Sequence, residues 1–68
     1  MFKHEKLKQC RKDKRMSVDT LMVALARFGL EIHTNTIRNW EKGQYEPTAT
    51  QLQKLASFFK KPVKYFFE

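Results

Sequence analysis

The stretch Thr34 to Gly43, TNTIRNWEKG, with Gln44 to Pro47, QYEP, behind it, decides how this chain is read. A helix advances by about 100° per residue, which puts Ile37, Trp40 and Glu41 on one side of this segment. Asn35, Arg38, Asn39 and Lys42 fall largely on the other. The first face is suited to burial. The second carries two amides, a guanidinium and an ammonium, groups that match base edges and phosphates in a DNA major groove. The segment therefore reads as a candidate recognition helix.

Outward from it, the chain divides into helices. Gly43 is placed to stop this one, and His33 or Thr34 to cap its start. Upstream, Ser17 offers an N-cap to VDTLMVALARF, in which Val18, Leu21, Ala24, Leu25 and Phe28 recur at helical spacing and are expected in the core. Gly29 ends that helix, and Leu30 and Ile32 lead through a turn to the next, a helix-turn-helix. A first helix is expected from about Lys3 to Lys14, with Leu7 and Cys10 on its apolar stripe and Arg11 beside them. Downstream, Thr48 and Gln51 form a T-x-x-Q capping box for a fourth helix that buries Leu52, Leu55, Ala56 and Phe59. Lys60 and Lys61 close it. Pro62 suits the first turn of a short fifth helix, VKYFF.

Size and charge narrow the function classes. The 68 residues are expected to form one domain spanning positions 1–68, near the lower size at which apolar burial alone sustains a fold. Cys10 stands alone, so no disulfide framework is available, and His4, Cys10 and His33 are too few and too scattered for a zinc site. No apolar run approaches the roughly 20 residues of a membrane span, and the composition suits a reducing cytoplasm. Fourteen Lys and Arg against seven Asp and Glu leave a net charge of +7. That excess favours a polyanionic partner through counterion release and long-range steering. Much of it lies between Lys3 and Arg15. There is no glycine-rich phosphate loop, no cluster of carboxylates and no nucleophile with its base, so neither an enzyme nor a cofactor is expected. Cys10 reads as a small buried thiol and His4 as part of a frayed N-terminus.

From Leu7 to Phe67 the chain resembles the Cro/repressor-type, or XRE-like, helix-turn-helix family. The resemblance rests on Arg11, on Ser17 and Leu21 opening helix two, and on Ile37, Trp40, Glu41 and Gly43 in and after helix three. Pro47, then Leu52, Leu55 and Ala56 in helix four, and the closing PVKYFF complete it. It implies an all-α, compact five-helix fold of the lambda-repressor-like kind and a DNA-binding transcriptional regulator of bacterial or phage type, a repressor in the first instance. It implies a structural ion pair between Arg11 and Glu41, and it maps base contact onto Thr34, Asn35, Arg38 and Asn39, the face already turned outward by the helical projection. Phosphate contacts are expected from helix N-termini and the loop after helix three, at Ser17, His33, Lys42, Gln44 and Tyr45. The chain departs from the family pattern at three places. Val18 stands where a polar residue is usual, and Lys14 and Arg15 stand where a glycine often ends helix one. The connection from Leu21 to Ile37 is also longer, with Gly29 to Ile32 expected to absorb the excess.

Double-stranded DNA is thus the expected partner. Tyr65, Phe66 and Phe67 form an aromatic cluster that a small domain can hardly bury whole, and they are the candidate dimer contact. A homodimer would read two half-sites of a pseudo-palindrome. A regulatory protein partner is a further expectation. Two other readings remain open: an antitoxin-like or other protein-interaction subunit, and a non-specific or architectural DNA binder working through the basic first helix.

Overall fold

The computed structural model describes all 68 residues, with no strand. Four α-helices follow one another: α1 His4–Asp13, α2 Val18–Phe28, α3 Thr34–Lys42 and α4 Ala49–Phe59. The fifth element, Val63–Phe67, is a 3-10 helix rather than an α-helix. Five residues behind Pro62 are too few to repay the nucleation of an α-helix, and the tighter 3-10 turn is the usual form of so short a piece.

The helix boundaries have local causes. Ser17 caps α2 by accepting the Thr20 backbone N–H at 3.1 Å. His33 caps α3 through Nδ1, which accepts from the Asn35 N–H at 3.2 Å. Thr48 and Gln51 form the reciprocal capping box of α4. Gly29 and Gly43 end α2 and α3 at φ of 104° and 80°, a left-handed conformation open to glycine without a Cβ penalty. By contrast, the two remaining turns use long basic side chains in that region, Arg15 at φ 56° after α1 and Lys60 at φ 57° after α4. Helix one thus turns on Arg15 itself where a glycine would have been the easier residue.

Thirteen apolar residues form one buried cluster. Leu7 and Cys10 come from α1, Leu21 and Leu25 from α2, Ile37 and Trp40 from α3, and Leu52, Leu55, Ala56 and Phe59 from α4. Helix α3 packs against both α1 and α2, while the 3-10 helix lies against α1 and α4. Three expectations need correction. Phe28, read as core, is 47% exposed, because it lies at the last turn of α2 and only leans edge-on against Phe58. The N-terminus is not frayed: Phe2 is buried and stacks on Phe66, and the Lys3 N–H donates to the Phe66 carbonyl at 2.6 Å. Phe66, named among the candidate dimer contacts, is for the same reason wholly buried within its own chain.

Candidate nucleic-acid interface

The α3 helix has two unlike faces. Ile37 and Trp40 are sunk in the core, and Glu41 beside them has a side chain only 7% exposed. A carboxylate so placed needs a partner of opposite charge with matching geometry. Arg11 of α1 supplies it: Nε donates to Oε2 at 2.8 Å and Nη2 to Oε1 at 3.0 Å, a two-pronged pair. A third donor, Nη1, reaches the Met16 carbonyl at 2.8 Å. Hydrogen bonding to Glu41 raises the Arg11 pKa above its ordinary value, against the opposing effect of burial. The guanidinium thus ties together α1, the α1–α2 turn and the end of α3, and fixes the roll of α3 about its axis.

On the opposite face, Asn35 and Arg38 are exposed, with Thr34 and Asn39 half-exposed at its margins. No side chain of these four bonds to another group of the chain. The candidate phosphate residues surround that face. Ser17 and His33 sit at the starts of α2 and α3, Lys42 is the last residue of α3, and Gln44 and Tyr45 follow in the loop, all exposed. Two of them already have local work. The Ser17 hydroxyl donates to Thr20 Oγ1 at 2.9 Å while accepting the cap bond. His33 accepts the cap bond at Nδ1, and its other ring nitrogen bonds to nothing within the chain.

Residues outside the expected set hold this surface in place. Lys54 of α4 donates to the Gly29 carbonyl at 2.8 Å, clipping the α2–α3 turn to the helix behind it. No local sequence pattern announces this bond, because its partners stand 25 residues apart. His4 packs its ring on Gly43 so closely that a Cβ there would lie 2.8 Å from Nδ1. Lys6 donates to the Tyr65 carbonyl at 3.1 Å, and its ammonium lies 4.6 Å from the centroid of that ring. Cys10, buried behind α1, has its pKa pushed up by burial, with Asp13 adding and Lys61 opposing. No group of three or more His, Cys, Asp or Glu side chains is arranged to hold a metal ion, and no helix is long and apolar enough to cross a membrane.

A shallow helix pair with one helix locked by an ion pair and its polar face outward is the architecture of a helix-turn-helix DNA-binding domain. A family model of that description matches residues 7–66, nearly the whole chain, and the protein belongs to the Cro/repressor-type helix-turn-helix family of DNA-binding regulators. No curated protein and no solved structure matches the chain. The family is a regulatory one and not typically enzymatic.

Proposed function

We propose that this protein is a sequence-specific transcriptional repressor of bacterial or phage type that lays α3 in the DNA major groove. The observation that carries this reading is the contrast between the two sides of α3. Ile37, Trp40 and Glu41 immobilise it, while Asn35 and Arg38 stand exposed with no side-chain partner. A rigid helix presenting unpaired planar donors and acceptors is what direct readout of base edges requires. Arg38 addresses guanine, Asn35 or Asn39 adenine, and Thr34 lies at the edge of the same strip. Ser17, His33, Lys42, Gln44 and Tyr45 position the domain on phosphates, which fix register without reading sequence.

The chain acts as one domain, in the cytoplasm, and as a homodimer. Its longest dimension is 26 Å, short of the roughly 34 Å between successive major-groove faces on one side of a duplex. One copy therefore covers one half-site, and reading two requires two copies. Repression follows from occupancy of a promoter, with control by abundance or by a protein partner. Selection from a random duplex library at near-physiological salt, with wild type and Arg38→Ala side by side, tests the reading. An enriched two-fold motif that degrades in the variant is expected, by about 1 to 3 kcal/mol of discrimination at the affected base, with melting temperature nearly unchanged. Binding without enrichment that merely fades with salt would reduce the protein to a non-specific binder.

A further inference from the structure

The outer face of α2 is more apolar than its position on the surface calls for. Val23 is 47% exposed at its centre, and shallow grooves run along both flanks of the ridge made by Val23 and Arg27. Met22, Ala26 and Ile32 line one groove; Asp19, Thr20 and Ala24 line the other. Three charged residues border this face: Glu31 at the far end of one groove, and two that flank Val23 evenly. Asp19 and Arg27 lie four residues before and four after Val23, one helical turn to either side. Both are exposed, and neither forms an ion pair within the chain.

We propose that this face is where a second copy of the chain docks, with α2 packed antiparallel on its partner's α2 and Val23 beside the two-fold axis. The proposal rests on the dimeric reading above and locates its interface. Antiparallel pairing about Val23 brings Asp19 of each copy to Arg27 of the other, so one surface carries both halves of two reciprocal ion pairs. Self-complementarity of this kind is what an isologous contact demands. The row Asp19, Val23, Arg27 is an i, i+4 ridge, and two such ridges interdigitate at a crossing angle near −50°, the commonest geometry of packed helices. Each ridge then lies in the partner's groove beside it. The same contact gives exposed Val23 a burial that its own chain does not.

The position has a consequence for reading. The groove lined by Met22 and Ile32 extends to His33, the cap of α3. Contact at α2 therefore sets the relative placement of the two reading helices directly, through one turn of chain, rather than through the distant C-terminus. At that end Phe66 is buried within its own chain and only Phe67 and Val63 remain exposed apolar residues.

Sedimentation of the full chain from micromolar to submillimolar concentration tests this, with four variants all altered at exposed positions. Val23→Asp is expected to weaken dimerisation by about tenfold or more. Asp19→Arg alone and Arg27→Asp alone each set like charges opposite one another and are expected to be monomeric where wild type is dimeric. Mixed in equal amounts, those two variants are mutually complementary at both pairs and are expected to recover the dimer. Phe67→Ser should leave association unchanged. A mixture that stays monomeric, or a dimer abolished by Phe67→Ser and indifferent to Val23→Asp, overturns the interface while sparing the dimer. Wild type monomeric throughout overturns both. A DNA motif dependent on Arg38 would survive any of these results, so the reading of α3 stands or falls separately.

Discussion

The helix-turn-helix unit, α2 and α3, and the frame around it, α1 with the C-terminal 3-10 helix, are held by different means. Each helix of the unit has a side-chain cap at its start, Ser17 or His33, and a left-handed glycine at its end, Gly29 or Gly43. Helix α1 has no side-chain cap, and it turns on Arg15 in the left-handed region. What fixes α1 comes from far along the chain: Phe66 against Phe2, Tyr65 against Lys6, Glu41 against Arg11. The unit is defined largely by signals within a few residues, the frame by contacts across the whole chain. Local signals set where a helix begins and ends; only long-range contacts set how it is aimed.

If that division is right, the frame is where substitution does most harm. Phe2→Ala removes a buried ring stacked 6.0 Å from Phe66, and a loss of about 3 to 5 kcal/mol is expected in urea denaturation. For a chain of this size that approaches the whole stability. A loss under about 1 kcal/mol would show that the N-terminus does not anchor the frame. Next comes the pair joining frame to unit. Glu41→Ala leaves the Arg11 guanidinium, 12% exposed, without its carboxylate, and about 3 kcal/mol, the lower end of the range for breaking a buried pair, is expected. Glu41→Gln keeps one acceptor for Arg11 and should fall between. Equal loss in the two would mean that the carboxylate's charge, rather than the shape of the side chain, holds α3.

The same division explains what the sequence discloses. The two faces of α3, the caps at Ser17 and Thr48 and the stops at Gly29 and Gly43 are legible because each depends on neighbours within one or two turns. The all-α class and the family follow from their order. The polar face of α3 is legible for the same reason, since helical projection needs no knowledge of the rest. Phe2 is not legible, because an aromatic at a chain terminus looks frayed until Phe66 is known to lie against it. Phe28 misleads in the opposite way: it keeps helical spacing with Leu21 and Leu25, yet by the last turn of α2 that stripe has run past the core. The dimer contact placed on Phe66 fails because composition counts aromatic rings without saying which one closes over the N-terminus. Lys54 and its bond to Gly29 join positions 25 residues apart, beyond the reach of any local pattern.

The two glycine stops sharpen the comparison on a smaller scale. Both have positive φ, so Gly29→Ala and Gly43→Ala each carry the strain of a left-handed Cβ, about 1 to 2 kcal/mol. Their surroundings differ. At Gly29 the nearest atom to a new Cβ is the Lys54 ammonium at 3.8 Å, an ordinary contact distance, whereas at Gly43 it is the His4 ring at 2.8 Å. Gly43→Ala should therefore be the more destabilising of the two, and His4→Ala should remove the difference between them. Thermal melts of the three single variants and the double variant decide it. If Gly29→Ala and Gly43→Ala melt alike, His4 yields freely, and the frame does not press on the end of α3.

The smallest effect has the opposite sign. Arg15 and Lys60 sit in the left-handed region at φ of 56° and 57°, where a Cβ meets the following carbonyl. Replacing either with glycine relieves about 1 to 2 kcal/mol of strain but gives the unfolded chain roughly 0.5 to 1 kcal/mol more backbone entropy to lose. The balance for Arg15→Gly or Lys60→Gly is a gain of up to about 1.5 kcal/mol, a rise of several degrees in melting temperature for so small a domain. Because Arg15 lies in the α1–α2 turn that Arg11 grips through the Met16 carbonyl, its relief should also be felt at the Arg11–Glu41 pair. Arg15→Gly should then soften the loss caused by Glu41→Ala, while the gain from Lys60→Gly, at the far end of α4, should offset that loss by no more than its own amount. A fall in melting temperature for Arg15→Gly would mean that its side chain contributes more to the frame than its backbone withholds, and the frame would then be more locally specified than α1 suggests.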